Sequence, residues 1–144
     1  MYNILQKAHS GWAYIALLVL VIAVINAIIG MSFKKEFTSK DRKIALFGLI
    51  GIHVQLLIGL ILYFVSPLGL KMIKVVGMSG LNSETRLLAL EHPFTNLIAI
   101  TLITIGWSKH KKLTTSESKF KTFSIFYGLG LVLILSMIPW SKWF

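Results

Sequence analysis

Histidine is the residue type in this sequence that offers the most chemistry. A neutral imidazole ligates metal ions and haem iron, and near neutral pH it takes up and releases protons. The chain has no cysteine, which excludes thiolate metal sites, thiol nucleophiles and disulfides. It has no glycine-rich phosphate loop, no pair of carboxylates within an apolar run and no Ser-His-Asp motif. Its chemistry is therefore predicted to depend on where the fold places four side chains: His9, His53, His92 and His110.

The composition is that of a membrane protein. Of the 144 residues, 56% are apolar, against about 45–50% in soluble domains, and the mean hydropathy is +0.77. The net charge of +10 comes from lysines and arginines between long apolar runs, where they suit membrane topology and anionic lipid headgroups. We expect an all-α, integral membrane four-helix bundle with up-down-up-down topology, forming one domain over residues 1–144, and no nucleic-acid partner.

Four membrane helices are predicted, at about residues 8–33, 44–66, 87–108 and 122–141. The third apolar stretch is short, so its helix is predicted to begin near Leu87 and to include Glu91 and His92. Pro93 then lies in a first turn or kinks a longer helix. We expect the long connection before it to be a loop with a short piece on the membrane surface.

The cationic residues predict the orientation. Ten of the fifteen lysines and arginines lie in the two short connections, and five lie on the other side. The excess of positive charge places the short connections in the cytoplasm. We therefore expect a multi-pass protein of the cytoplasmic (inner) membrane, with both termini on the outer, periplasmic side. The start of the chain lacks the positive region of a signal peptide, so we expect the first helix to be retained.

His9 and His92 are predicted to lie at the same depth. Helices 1 and 3 both run inward, and each histidine stands at the outer end of its helix. Parallel helices of such a bundle face each other across its centre. Two histidines at matched depth are the arrangement that a haem iron with two axial imidazoles requires. The alternative is that His9 is an interfacial residue and His92 a helix cap, since small residues on helix faces also serve plain packing.

The other two histidines have different expectations. His53 lies at membrane depth, roughly 15 Å from the inner end of its helix at about 1.5 Å per residue. It either forms a structural hydrogen bond, with Gln55, Asn96 or Asn26 as the partner, or it binds haem or quinone or relays protons. His110 stands among lysines in the inner connection, where we expect a solvated residue.

Three stretches carry a resemblance to a known family. His9-Ser10-Gly11-Trp12-Ala13-Tyr14, the run from His53 to Gly59 and the run from Glu91 to Ala99 resemble the small four-helix cytochrome b-like membrane proteins of Bacteroidetes-type bacteria and one half-bundle of haem A synthase. The resemblance implies haem held by histidines on alternate helices, with His92 and His9 as ligands, and it gives His53 no settled role. The chain departs from haem A synthase in having one half-bundle and no cysteine pair.

The sequence therefore favours a b-type haem protein of the membrane, acting as an oxidoreductase or an electron-transfer subunit. The predicted metal ligands are His9 and His92, and the other candidate cofactor contacts are His53, Asn96 and Arg86, the last as a partner for a haem propionate. A quinol or a respiratory subunit would be its partner, and a second copy of the chain could cover haem left facing lipid. The alternative function is a haem-free structural or anchoring subunit of a larger membrane complex.

Overall fold

A computed structural model describes residues 1–143 of the chain and shows a helical bundle. The helices, in chain order, are α1 (Tyr2–Ser32), α2 (Ser39–Val65), α3 (Leu70–Val76), α4 (Ser83–His110), α5 (Ser116–Ser136) and α6 (Trp140–Trp143). Four of them, α1, α2, α4 and α5, are long and apolar enough to cross a membrane. The predicted all-α four-helix bundle is confirmed.

The packing order of the long helices places α1 and α4 on a diagonal. Helix α1 packs against α2 and α5, while α4 packs against α5 and, less extensively, against α2. We call the end of the bundle where α1 begins and α5 ends the terminal end. The opposite end, with the connections 33–38 and 111–115, is the short-loop end.

All four membrane helices begin earlier than predicted from the apolar runs. Helix α1 starts at Tyr2, α2 at Ser39, α4 at Ser83 and α5 at Ser116. The predicted bounds were those of uncharged runs, whereas a helix continues through charged residues wherever its backbone stays bonded. The start of α2 is fixed by Asp41, which accepts hydrogen bonds from the Thr38 N–H at 2.8 Å and from Asn26 of α1 at 3.0 Å.

Helix α5 ends at Ser136, five residues before the predicted bound. Pro139 follows, and a proline disfavours helical geometry in the residue before it and has no N–H to continue the helix. The chain then forms the short helix α6. The predicted surface piece of the long connection corresponds to α3, which contains no buried residue.

The core changes in character along the bundle. At mid-height α1 meets α2 through small residues, with Ala16, Ala23, Gly48 and Gly51 all buried. Such residues let helix backbones approach closely where no hydrophobic effect drives association. Toward the short-loop end the core is aromatic, and the fully buried Tyr127 donates a hydrogen bond to the Ala45 carbonyl at 2.8 Å.

The expectation of a solvated His110 is wrong. It is the last residue of α4, and only 2% of its surface is exposed. Its ring packs 4.6 Å from both Trp107 and Phe123, and its Nδ1–H donates to the Trp107 carbonyl. Because α4 extends two residues beyond the predicted end, His110 falls one turn below Trp107 on the buried face, and the neighbouring lysines take the exposed positions.

The contact between α4 and α5 leads to a stability prediction. A Cβ added at Gly130 would lie 2.5 Å from the buried Ile103 side chain and 3.1 Å from the Ala99 carbonyl oxygen. We expect Gly130→Ala to lower the free energy of unfolding by about 1–3 kcal/mol, because the two helices must move apart. Reversible unfolding in mixed micelles measures the change.

Gly128 provides the control, since nothing lies within 4 Å of a Cβ at that position of the same helix. Gly128→Ala is expected to be neutral, or stabilising by up to about 1 kcal/mol through helix propensity. Equal effects of the two substitutions would contradict the described packing of α5 on α4.

Candidate functional site

Four polar side chains meet between the helices at the terminal end: His9, Gln55, His92 and Asn96. We call them the polar layer. The imidazole rings of His9 and His92 lie 6.1 Å apart between centroids, with their planes at 82°. The Gln55 amide donates to the His9 carbonyl at 2.9 Å, and Asn96 lies one turn from His92 with its amide nitrogen 3.2 Å from that ring. The structure thus brings together the two histidines predicted as a pair.

A π-helical turn in α4 positions His92. The turn covers Leu87–Glu91, and regular α-helix resumes at His92. Pro93 has no N–H, so it cannot donate to the carbonyl four residues before it, that of Ala89. The Tyr63 hydroxyl of α2 donates to this carbonyl instead, at 2.9 Å. Pro93 therefore lies inside a continuous helix, and a neighbouring helix replaces the hydrogen bond that it removes.

One hydrogen bond fixes the tautomer of His92. Its Nδ1 lies 2.8 Å from the carbonyl oxygen of Met137, the residue that caps α5. Carbonyls at the end of a helix lack intrahelical partners, so this one is available to accept. A carbonyl only accepts, so Nδ1 carries the proton and Nε2 carries the lone pair. An imidazole that binds a metal is usually held in this way, because a bond to its second nitrogen sets ring orientation and basicity.

Asn96 does not occupy that lone pair. Its amide nitrogen is 3.2 Å from both ring nitrogens of His92. A point equidistant from the two nitrogens lies over the ring or beyond its Cε1 atom. The in-plane lone pair of Nε2 points away from both places. The Asn96 amide therefore contacts the ring, and the His92 lone pair remains available to a ligand.

The polar layer holds an unusual concentration of unsatisfied atoms. Nδ1 of His9, Oε1 of Gln55 and Oδ1 of Asn96 are buried without a hydrogen-bond partner. Each such atom costs roughly 1–3 kcal/mol, and native structures contain few of them. Three such atoms in one layer, beside the free lone pair of His92, indicate a binding site for a group that is not a side chain of this protein.

Glycine at position 59 leaves room for the His9 ring. A Cβ at Gly59 would lie 3.0 Å from Cε1 of the His9 ring, closer than ordinary contact. Gln55 and Gly59 are four residues apart on α2, so both face His9. The spacing of these two residues could be seen in the sequence, where it formed part of the family resemblance. The contributions of Tyr63 and Met137 left no such signal, because each acts on a carbonyl of another helix.

The separation of the two rings suits a shared iron. If one nitrogen of each ring pointed at the iron, two metal–nitrogen bonds of about 2 Å each, plus about 1 Å from each bonded nitrogen to its ring centre, would place the ring centroids about 6 Å apart. The observed value is 6.1 Å. Among residues 1–143, no three His, Cys, Asp or Glu side chains are grouped to hold a bare metal ion. A haem needs only axial ligands from the protein, since its macrocycle supplies the rest.

The remaining predicted site residues lie outside the polar layer. Arg86 is bonded through Nε to Glu91 at 2.7 Å, across the π-helical turn, and its terminal guanidinium nitrogens provide further donors. His53 is bonded to the Leu49 carbonyl at 2.8 Å and lies 3.3 Å from the Thr104 hydroxyl.

The three partners suggested for His53 are therefore wrong. Asn26 bonds Asp41 at the start of α2, while Gln55 and Asn96 belong to the polar layer.

Comparison of the chain with family models, with curated proteins and with solved structures finds no match. The resemblance to cytochrome b-like proteins stays a prediction.

The bond from Tyr63 leads to a second stability prediction. Tyr63→Phe leaves the Ala89 carbonyl without its cross-helix donor, so we expect a loss of about 1–3 kcal/mol in unfolding free energy. Amide hydrogen exchange should quicken most around Leu87–Glu91, because the π-helical turn loses its anchor on α2.

Tyr14→Phe is the matched control, since the Tyr14 side chain is 51% exposed and its ring contact with Trp143 survives in phenylalanine. Exchange that quickens equally in both variants would exclude a specific role for Tyr63.

Proposed function

We propose that this chain is a small b-type cytochrome of the membrane, with haem b bound between His9 and His92 and used for electron transfer. The observation that carries the proposal is the meeting of two imidazoles across the bundle diagonal at 6.1 Å. The free lone pair of His92 and the three unsatisfied polar atoms beside it support the same assignment.

Each residue of the site would have a distinct task. His9 of α1 and His92 of α4 would hold the haem iron. By accepting the hydrogen bond from Nδ1–H, the Met137 carbonyl would fix the orientation of the His92 ring and raise the basicity of its Nε2. Gly59 would leave room for the His9 ring. Gln55 and Asn96 would set the polarity around the ligands, and Arg86 is the candidate partner for a propionate.

Bound haem supplies one-electron redox chemistry, and the chain sets its conditions. Apolar surroundings disfavour the oxidised haem, which carries one more positive charge than the reduced haem. Burial between the helices would therefore tune the reduction potential. The site lies near one membrane face, at the terminal end, where an electron can pass to a partner outside the bilayer. The proposed donor is a lipid-soluble quinol or a respiratory subunit. An oxidoreductase activity would then belong to the assembly.

The proposal includes an orientation in the cytoplasmic membrane. Ten of fifteen cationic residues lie at the short-loop end, either in its two connections or in the helix turns next to them, which supports a cytoplasmic location for that end. The terminal end, and the haem with it, would face the periplasm.

Replacing a ligand tests haem binding. We expect His92→Gly and His9→Gly to lose the Soret band of the detergent-purified protein, because each removes one axial nitrogen. Added imidazole should restore a low-spin spectrum to His92→Gly, since the small ligand can fill the space left by the side chain. Visible spectra and a pyridine haemochrome assay give the haem content.

Circular dichroism provides the control for folding in both variants. Normal haem content in His92→Gly without imidazole would exclude the ligand assignment. A colourless wild-type protein, expressed with ample haem, would instead favour the haem-free anchoring subunit.

The orientation is tested with single cysteines, which the chain allows because it has none of its own. We expect Ser79→Cys, in the exposed connection at the terminal end, to react with a membrane-impermeant maleimide on intact bacterial cells. Lys112→Cys, at the short-loop end, should react only after lysis. The reverse pattern would contradict the proposed orientation.

A further inference from the structure

A shallow groove at mid-height, on the surface between α2 and α4, contains a histidine that the haem site does not use. We call it the His53 groove. Its volume is about 250 Å³, and it is lined by Leu49, Ile50, His53, Val54, Leu57 and Thr104. His53 lies near the middle of α2, roughly 20 Å from either helix end at about 1.5 Å per residue. The groove therefore opens toward the hydrocarbon interior of the bilayer.

The groove presents one hydrogen-bond acceptor. Nδ1 of His53 is 2.8 Å from the Leu49 carbonyl, so Nδ1 carries the proton and Nε2 the lone pair. The nearest partner of Nε2 is the Thr104 hydroxyl, at 3.3 Å. That hydroxyl has a single hydrogen, and it donates to the Ile100 carbonyl at 2.8 Å. Nε2 is thus a hydrogen-bond acceptor at membrane depth. The neighbouring Thr104 hydroxyl donates its hydrogen to the Ile100 carbonyl, which is closer to it than Nε2 is.

An acceptor whose only neighbouring hydroxyl donates to another group is unfavourable in hydrocarbon. A ligand that satisfies it must dissolve in the bilayer interior and carry an O–H group. The hydroxyls of acylglycerols and sterols are held at the polar interface, about 15 Å from the bilayer centre. A quinol headgroup moves within the hydrocarbon and bears two hydroxyls on a flat ring.

The size of the groove suits such a ring. A cavity of about 150 Å³ holds benzene, so the His53 groove, at about 250 Å³, has room for a ring with substituents. Its walls are aliphatic apart from His53 and Thr104, which matches a flat apolar body with one polar edge.

We propose that the His53 groove binds a lipid-soluble quinol, whose hydroxyl donates a hydrogen bond to Nε2 of His53. The Thr104 oxygen lies 3.3 Å from Nε2 on the same edge, so it accepts a weaker share of the same hydrogen in a three-centre hydrogen bond. The role of this quinol as electron donor rests on the proposed function, whereas its binding does not depend on haem.

The test uses a decyl-substituted benzoquinol with a diazirine on the first carbons of its tail, added to the protein in phosphatidylcholine nanodiscs. We expect saturable photolabelling of peptides that contain residues 49–57 or Thr104. Unlabelled decylbenzoquinol should compete, and its O,O-dimethyl ether should not, because the ether has no hydroxyl to donate. His53→Phe should lower the affinity about tenfold, the equivalent of one hydrogen bond.

Thr101→Val is the matched control. Thr101 lies one turn from Thr104 on α4 and bonds the carbonyl four residues before it in the same way, but it is not part of the groove. Thr101→Val should bind as the wild type does, while Thr104→Val should bind more weakly. Equal competition by the dimethyl ether, or equal affinity in His53→Phe and the wild type, would overturn the proposal.

The haem-free variant His92→Gly separates this inference from the proposed function. We expect it to bind the quinol with wild-type affinity. Saturable binding by a wild-type protein that takes up no haem would sustain the groove and refute the cytochrome. A wild-type protein that binds haem but shows no saturable labelling would sustain the cytochrome and refute quinol binding in the groove.

Discussion

Polar groups at membrane depth must find their partners inside the bundle, and the rest of this structure depends on that constraint. Side chains of one helix repeatedly donate to backbone carbonyls of another. Trp12 donates to the Gly51 carbonyl at 2.9 Å, Tyr63 to that of Ala89 at 2.9 Å and Tyr127 to that of Ala45 at 2.8 Å. These bonds set the relative heights of the helices, which apolar packing in lipid specifies only weakly.

The polar layer meets this constraint only in part, and for that reason it is the candidate site. His92 is held by the Met137 carbonyl, yet the Asn96 amide 3.2 Å from its Nε2 does not occupy the lone pair of that atom, and three neighbouring atoms of other residues lack partners. A haem between the rings would use the two imidazole lone pairs. The His53 groove repeats the pattern on a smaller scale, with one acceptor facing lipid. In both places we infer a ligand from an atom that the fold has left unpaired.

Much of the fold could be predicted from the sequence, because four long apolar runs and short basic connections leave few arrangements. The proximity of His9 and His92 followed from their depths on parallel helices. The burial of His110 did not, since the lysines around it suggested a solvated loop while the face it occupies depends on where α4 ends. The partners of His53 were also missed, because hydrogen bonds to backbone carbonyls leave no trace in residue types. That His9 and His92 hold haem remains a prediction.

The most direct test of the central claim is a titration of haem into the purified, haem-depleted wild-type protein in micelles, followed by absorption and low-temperature EPR. The account predicts saturation at one haem per chain with the low-spin signal of two axial imidazoles. A titration that matches protein-free micelles would contradict it, as would a high-spin product with a single axial histidine.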